Sequence, residues 1–388
     1  MNALLLVALA LGSMTVDELE ESGRQHLYDM ELSSARETFA EVGRLDPHSP
    51  AGPYYEATTI WTGEFTRRGG MSGATFRTGD YWSSSRAEPP DPALDRDFKR
   101  LVQETIDRAD ELLEKMPDDE DALYFRGSAE GLMSAYLASV ERSYYGAYQA
   151  GKRARDYHEH LLELDPDYAD ACLLPGIFEY TIATLPRSLR ILGFLVGIRG
   201  SKEKGLSLVE RAVEKGQRTR WIARLSMSVM LEREKRYGDA LGLLVELEHA
   251  FPRNPFFKME RGSVYLLTKD WMAARRAFEE VSAGRASDGT AESYRLLPAS
   301  LIYLRLGESY LFAKSYVQAS RELDRALGVP GVPAWVRAQT FLRRGMCSDA
   351  RGRRVAAEWD YRRVLRLDTD SAVSKLAERY LREPYGKY

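Results

Sequence analysis

The sequence predicts an all-α protein: about eight helical hairpins laid end to end and closed by a capping helix. Three observations carry this. A small residue recurs along the chain in apolar helical pattern, at Gly23, Ala57, Gly127, Gly176, Ser228, Gly262, Gly307 and Gly345. In five of these hairpins an alanine follows twelve residues later, as Ala35, Ala240, Ala274, Ala319 and Ala357. Pro47, Pro117, Pro166 and Pro252, in LDP, MPDD, LDPD and FPRN turns, mark where helices stop, because proline cannot continue the hydrogen-bond ladder.

The stretch Pro255–Val281, PFFKMERGSVYLLTKDWMAARRAFEEV, shows the unit best. Gly262 and Ala274 let two helix axes approach, while Tyr265 and Phe278, three and four residues further on, fill the space around the crossing. This Gly, Tyr, Ala, Phe order resembles the tetratricopeptide repeat, a unit of roughly 34 residues. The resemblance implies a right-handed α-α superhelix whose first helices line a concave groove for an extended or helical peptide.

Taken in order, residues 1–13, MNALLLVALALGS, are apolar and end in small residues, as a short export signal does, although no Lys or Arg precedes the run. The other reading is an apolar lead-in to the first helix. Residues 14–388 form a single solenoid that begins with a repeat over Val16–His48, where Gly23, Ala35 and Phe39 set the pattern. An insertion at 63–92 is rich in Gly, Ser and Pro yet carries Phe65, Phe76, Tyr81 and Trp82, which favours a loop folded back on the array. The third hairpin, Asp119–Leu164, is long; its first helix is expected to run through LMSAYLASVERSYYG, with Tyr136, Tyr144, Tyr145 and Tyr148 as core and rim packing.

A second insertion, 185–200, is strongly apolar with Arg187, Arg190 and Arg199 interspersed. It reads as a hairpin packed on the array or, over 185–199, as a peripheral membrane contact. A shorter polar insertion at 283–292 is expected to be a surface loop. Ser371–Arg382, with Lys375, Glu378, Arg379 and Arg382, supplies the polar cap that a solenoid end requires.

Composition excludes more than it selects. A formal net charge of −3 on 388 residues gives no general field for nucleic acid or for an acidic membrane. Outside the leader no segment is long and apolar enough to be transmembrane. Cys172 and Cys347 fall in distant repeats and read as small core residues.

His158 and His160 are the only histidines near each other, and two residues apart on a helix they face different ways, so no metal site is predicted. HExxH, GxxxxGK[ST], strand-borne GxGxxG and GxSxG are all absent, and no strand pattern offers a rigid frame for catalysis. No catalytic residue, cofactor or enzymatic activity is predicted.

The resemblance assigns groove positions, which here include Tyr54, Trp61, Tyr124, Ile177, Tyr180, Leu225, Phe256 and Met259, a largely apolar and aromatic surface. The positions where chaperone-binding relatives clamp a terminal carboxylate hold Glu20, Arg24, Tyr54 and Thr58 instead. The expected function is a scaffold that holds a protein or peptide partner of unknown identity. The alternative is a carrier of a small apolar or lipid-like ligand. The 185–216 stretch and the tyrosine-rich hairpin before it also look like uncharacterised bacterial repeat proteins with export leaders, which implies a periplasmic or envelope location, with the cytoplasm as the alternative.

Overall fold

The computed structural model describes residues 14–70, 89–187, 190, 199–367 and 372–386. The leader and the interiors of the first two insertions therefore lie outside the described residues. Among the described residues there are eighteen α-helices and no strand. They are α1 (Val16–Tyr28), α2 (Leu32–Leu45), α3 (Ala51–Arg67), α4 (Pro92–Lys115), α5 (Glu120–Tyr136) and α6 (Tyr144–Leu164). Next come α7 (Leu173–Ala183), α8 (Lys202–Lys215), α9 (Arg220–Arg233), α10 (Tyr237–Ala250), α11 (Pro255–Leu267) and α12 (Trp271–Asp288). The last six are α13 (Glu292–Leu296), α14 (Ala299–Phe312), α15 (Tyr316–Gly328), α16 (Ala334–Ala350), α17 (Arg354–Leu367) and α18 (Ala372–Arg382).

Local chemistry sets the helix ends. Each of α2, α4, α6 and α10 stops two residues before its proline, at Leu45, Lys115, Leu164 and Ala250. Starts are capped: Thr15 and Glu18 exchange reciprocal bonds at α1, and Asp91, Asp119, Ser201, Asn254 and Asp270 accept the free amides of α4, α5, α8, α11 and α12. Pro92 and Pro255 occupy first turns, where no amide donor is needed.

The twelve-residue spacing has a hydrogen-bond explanation. Seven residues beyond the crossing position of the five hairpins with the matching alanine the backbone turns left-handed, at Met30, Lys235, Lys269, Lys314 and Gly352, with φ of 62, 62, 62, 61 and 71°. The next amide then bonds back over five residues: Glu31 to His26 O (2.9 Å), Arg236 to Leu231 O (2.8 Å), Asp270 to Tyr265 O (3.0 Å), Ser315 to Tyr310 O (2.8 Å) and Arg353 to Ser348 O (2.8 Å). This is the Schellman closure of a helix end. One repeating turn thus fixes the register at which the alanine meets its partner.

The crossings are as close as the pattern requires. A Cβ added at Gly23 would lie 2.4 Å from the Phe39 ring, at Gly262 2.4 Å from Phe278, and at Gly345 2.5 Å from Tyr361. Only glycine leaves room for those rings.

Two compact units divide the chain, one ending at Met230 and one beginning at Leu231. In the first, α1 to α6 pack each on the next, α7 packs on α6 and α8, and α3 also touches α5. In the second, α10, α11 and α12 follow one another, α12 packs on α14, and α14 to α18 continue the series. There α11, α14, α16 and α18 also touch in order, so the first helices of successive hairpins form an inner row.

Several segments depart from the expectation. Gly63–Arg67 belongs to α3, so the first insertion starts later than the composition implied. The expected surface loop at 283–292 is helical as far as Asp288 despite Gly284, because Arg285 bonds to the carbonyls of Tyr294 and Leu297 and so ties the end of the helix to the next one. The first helix of the third hairpin ends at Tyr136, continues as a π turn over Leu137–Glu141, and breaks at Arg142, whose φ is 60°. Tyr136 is fully buried and stacks on Phe98 at 4.0 Å, whereas Tyr145 is exposed. Both cysteines are free and buried.

Candidate partner-binding faces

The inner face of the first unit is built around a knot of rings. Consecutive Tyr54 and Tyr55 on α3 and Tyr124 and Phe125 on α5 point to two sides of their helices and meet between them. Tyr55 stacks on Phe39 (4.8 Å), Tyr54 stands edge-on to Phe125 (5.5 Å), and Tyr124 meets Phe125 edge-on (5.1 Å). On the far side Tyr124 stacks on the His158 ring at 5.4 Å. His158 Nε2 donates to Tyr124 O (3.1 Å), and burial pushes its imidazole down to about 4.

Charged groups close over this knot. The Arg218 guanidinium lies over Tyr124 (5.5 Å) and Phe125 (5.4 Å) and donates to Asp121 Oδ1 (2.6 Å) and to the Tyr168 hydroxyl (3.0 Å). Asp170 fixes the loop that carries it, accepting from the amides of Gln217 (2.9 Å) and Thr219 (2.8 Å) and from the Thr219 hydroxyl (2.7 Å). From α1, Arg24 donates to Glu20 (3.2 Å), Glu21 (2.7 Å) and the Tyr55 hydroxyl (3.3 Å). Burial holds the Glu20 carboxyl above the usual glutamate range, against the opposing pull of Arg218 and Arg24. Tyr28 reaches the backbone of Ile222. Within this unit α1 therefore reaches the first turn of α9.

In the second unit the corresponding face is apolar around one ion triad. Phe256, Met259, Leu301, Leu304 and Met346 are buried along α11, α14 and α16. Glu308, 2% exposed, sits between Arg305 (2.6 Å) and Arg343 (2.7 Å). Burial alone would raise its carboxyl; the two guanidinium groups hold it below the usual range.

The eight groove positions predicted from the sequence separate by burial. Tyr124, Tyr180, Phe256 and Met259 are buried, while Tyr54, Trp61, Ile177 and Leu225 are half-buried. The Tyr180 hydroxyl donates to Met230 O (3.3 Å). Trp61 donates from Nε1 to the Ser139 hydroxyl (3.1 Å) and stacks on Phe65 (4.9 Å), leaning on the core of Phe98 and Tyr136. Tyr54 joins the ring knot, whereas Ile177 and Leu225 enter none of its ring contacts.

Arg218, Asp121, Tyr55, Phe125 and Glu308 were not among the predicted positions. Glu308 had a signal, since it directly follows the crossing Gly307. Arg218 had none, because it stands in a loop outside the repeat register. Among the described residues no cluster of His, Cys, Asp or Glu could hold a metal, and no helix is long and apolar enough to cross a membrane.

No protein-family model matches this chain, and no curated protein matches it. Solved structures do. A chain of the APC/C hetero-tetramer Cut9-Hcn1 is 14% identical, with a TM-score of 0.53 over 98% of this chain; the match spans 57% of that chain's length. Human IFIT1, solved as a dimer with m7Gppp-AAAA, is 12% identical over 94% of this chain and 84% of its own, with a TM-score of 0.49. Pseudomonas aeruginosa PilF is 18% identical over 67% of this chain and 96% of its own, with a TM-score of 0.42. The first of these carries the likeness, and with the hairpin register above it gives the architecture. The fold of this chain is that of a tetratricopeptide-repeat array.

Proposed function

We propose that this chain is a non-catalytic scaffold that holds a protein or peptide partner against the inner helix faces of its first unit. The supporting observation is the ring knot of Tyr54, Tyr55, Tyr124 and Phe125, clamped by Arg218 and backed by His158. Rings fixed in advance lose little freedom on binding, and aromatic residues with arginine are the usual anchors of protein interfaces. Half-buried Tyr54 belongs to the knot, and half-buried Trp61, Ile177 and Leu225, on α3, α7 and α9, still present surface. The buried groove residues serve the packing, Tyr124 within the knot and Tyr180 through its bond to Met230 O.

A photo-crosslinking amino acid placed at Ile177 or Leu225 is expected to give discrete adducts in the native host, and one placed at exposed Asp156 or Glu163 is not. Adducts from the outer positions alone would overturn the assignment. Trp61→Ala is expected to weaken the same adducts by about tenfold, in line with an interface anchor, with helicity by circular dichroism unchanged.

A further inference from the structure

The second unit carries a surface that the inner-face reading does not use. Two residues before the conserved-register alanine of α12, α15 and α17 stand Met272, Val317 and Val355, which are 57, 57 and 82% exposed. One turn further along α17, Trp359 is 56% exposed, with the Arg363 guanidinium over its ring at 3.9 Å. These are the second helices of successive hairpins: α12 and α15 both pack on α14, and α15 and α17 both pack on α16, so the exposed tips recur in one register along the unit as a row. The first hairpin of the chain has Ser33 at this position and that of α10 has Gly238.

Cations flank the row on both sides. In the turns before it lie Lys269, Lys314 and Arg353, and one helical turn after it lie Arg276 and Arg321, all exposed and without an ion pair among the described residues. Nearby carboxylates are already engaged: Glu279 with Arg275 (3.6 Å), Asp324 with Arg344 (2.7 Å) and Glu358 with Arg354 (3.0 Å). Asp270 accepts the Ala273 amide as the cap of α12.

We propose that this row is a docking surface for an anionic lipid bilayer. α12 and α15 each offer a single protruding apolar tip and only α17 adds a second at i+4, Trp359, short of the i, i+3, i+4, i+7 face with which a partner helix would pack. Val355 and Met272 would gain nothing from a phosphate backbone, which disfavours nucleic acid. A lipid interface accepts both features at once: shallow apolar tips and a tryptophan among the acyl chains, with a border of Lys and Arg at the headgroups.

Co-sedimentation of the full chain with vesicles tests this. Phosphatidylcholine vesicles containing 30% phosphatidylglycerol are compared with pure phosphatidylcholine, at low and high salt. Binding is expected only to the anionic vesicles, falling steeply with salt. Val317→Asp with Val355→Asp, and separately Arg276→Glu with Arg321→Glu, should each weaken it by about tenfold or more. All four sites are exposed, so circular dichroism should not change. Failure to pellet with anionic vesicles, or pelleting that neither double variant reduces, overturns the proposal. So does self-association by sedimentation velocity that Val317→Asp with Val355→Asp abolishes, which would assign the row to a second copy of the chain.

Discussion

The two units use one hairpin differently. In the first, rings from α2, α3 and α5 fill the inner face, and Arg218 and Arg24 seal it by pairing with Asp121 and Glu20. Its third hairpin replaces the standard turn with a π turn, and its fourth opens on a 3₁₀ turn at Ala169–Cys172. In the second unit the last three complete hairpins keep the same left-handed turn, and the inner face is apolar around the Glu308 triad. The outer helices there carry the apolar row that the first hairpin of the chain lacks. Five hairpins share the regular turn, yet only the last three carry the outward apolar residue, those closed at Met30 and Lys235 having Ser33 and Gly238 there, so turn and outer face vary independently. A repeat can thus keep its crossing geometry while its two faces specialise separately.

The largest expected effect is on the Glu308 triad. Glu308→Ala leaves Arg305 and Arg343 without the carboxylate that compensates their burial, a loss of about 3–5 kcal/mol for a broken buried pair. Hydrogen exchange should show the loss at amides of α14 and α16, while amides of α3 and α5 keep their protection. Equal loss in both units would mean that they unfold as one body, and the comparison would fail.

Acid should affect the two units differently. The folded His158 value, about 4, lies below the unfolded value of 6.5, so the unfolded chain takes up the proton first. Stability from the neutral imidazole is therefore intact above pH 6.5 and lost as pH falls toward 4, on the order of 3 kcal/mol in full. Glu308 is held below its usual range, so its triad stays charged through most of that window. The histidine of the second unit, His249, is exposed. Exchange at α5 and α6, taken relative to the intrinsic chemical rate at each pH, should therefore accelerate between pH 6.5 and 4.5 more than at α14. In His158→Gln that acceleration should disappear; if it persists, another group carries it.

Much of the architecture was legible because glycine and proline act locally. The crossings at Gly23, Gly262 and Gly345 and the stops before Pro47, Pro117, Pro166 and Pro252 follow from sterics within a few residues. Groove candidates were legible as positions but not as exposures. Whether Tyr124 is open or covered depends on Arg218, 97 residues beyond its partner Asp121, and no periodic signal reports that pairing. The helical 283–288 segment was hidden by its small polar composition, which a helix accepts once Arg285 anchors it to Tyr294 and Leu297.

The smallest effects concern the shared turn, and here the units should differ in sign. Lys314 holds φ 61° with its side chain exposed, so Lys314→Gly removes a left-handed penalty of about 1–2 kcal/mol. Added freedom in the unfolded chain offsets roughly 0.4–1 kcal/mol of that gain. A net stabilisation of about 0.5 kcal/mol is expected in urea unfolding followed by probes in the second unit. Met30 occupies the same register in the first unit at φ 62°, but its side chain is 1% exposed. Met30→Gly gains the same backbone relief and loses buried apolar surface worth about 1.5–3 kcal/mol, so it should destabilise. If both substitutions stabilise, the Met30 side chain adds nothing to packing; if Lys314→Gly destabilises, the left-handed turn is not where the hairpin closes. The signs depend on side-chain burial because the backbone turn is the same at both positions.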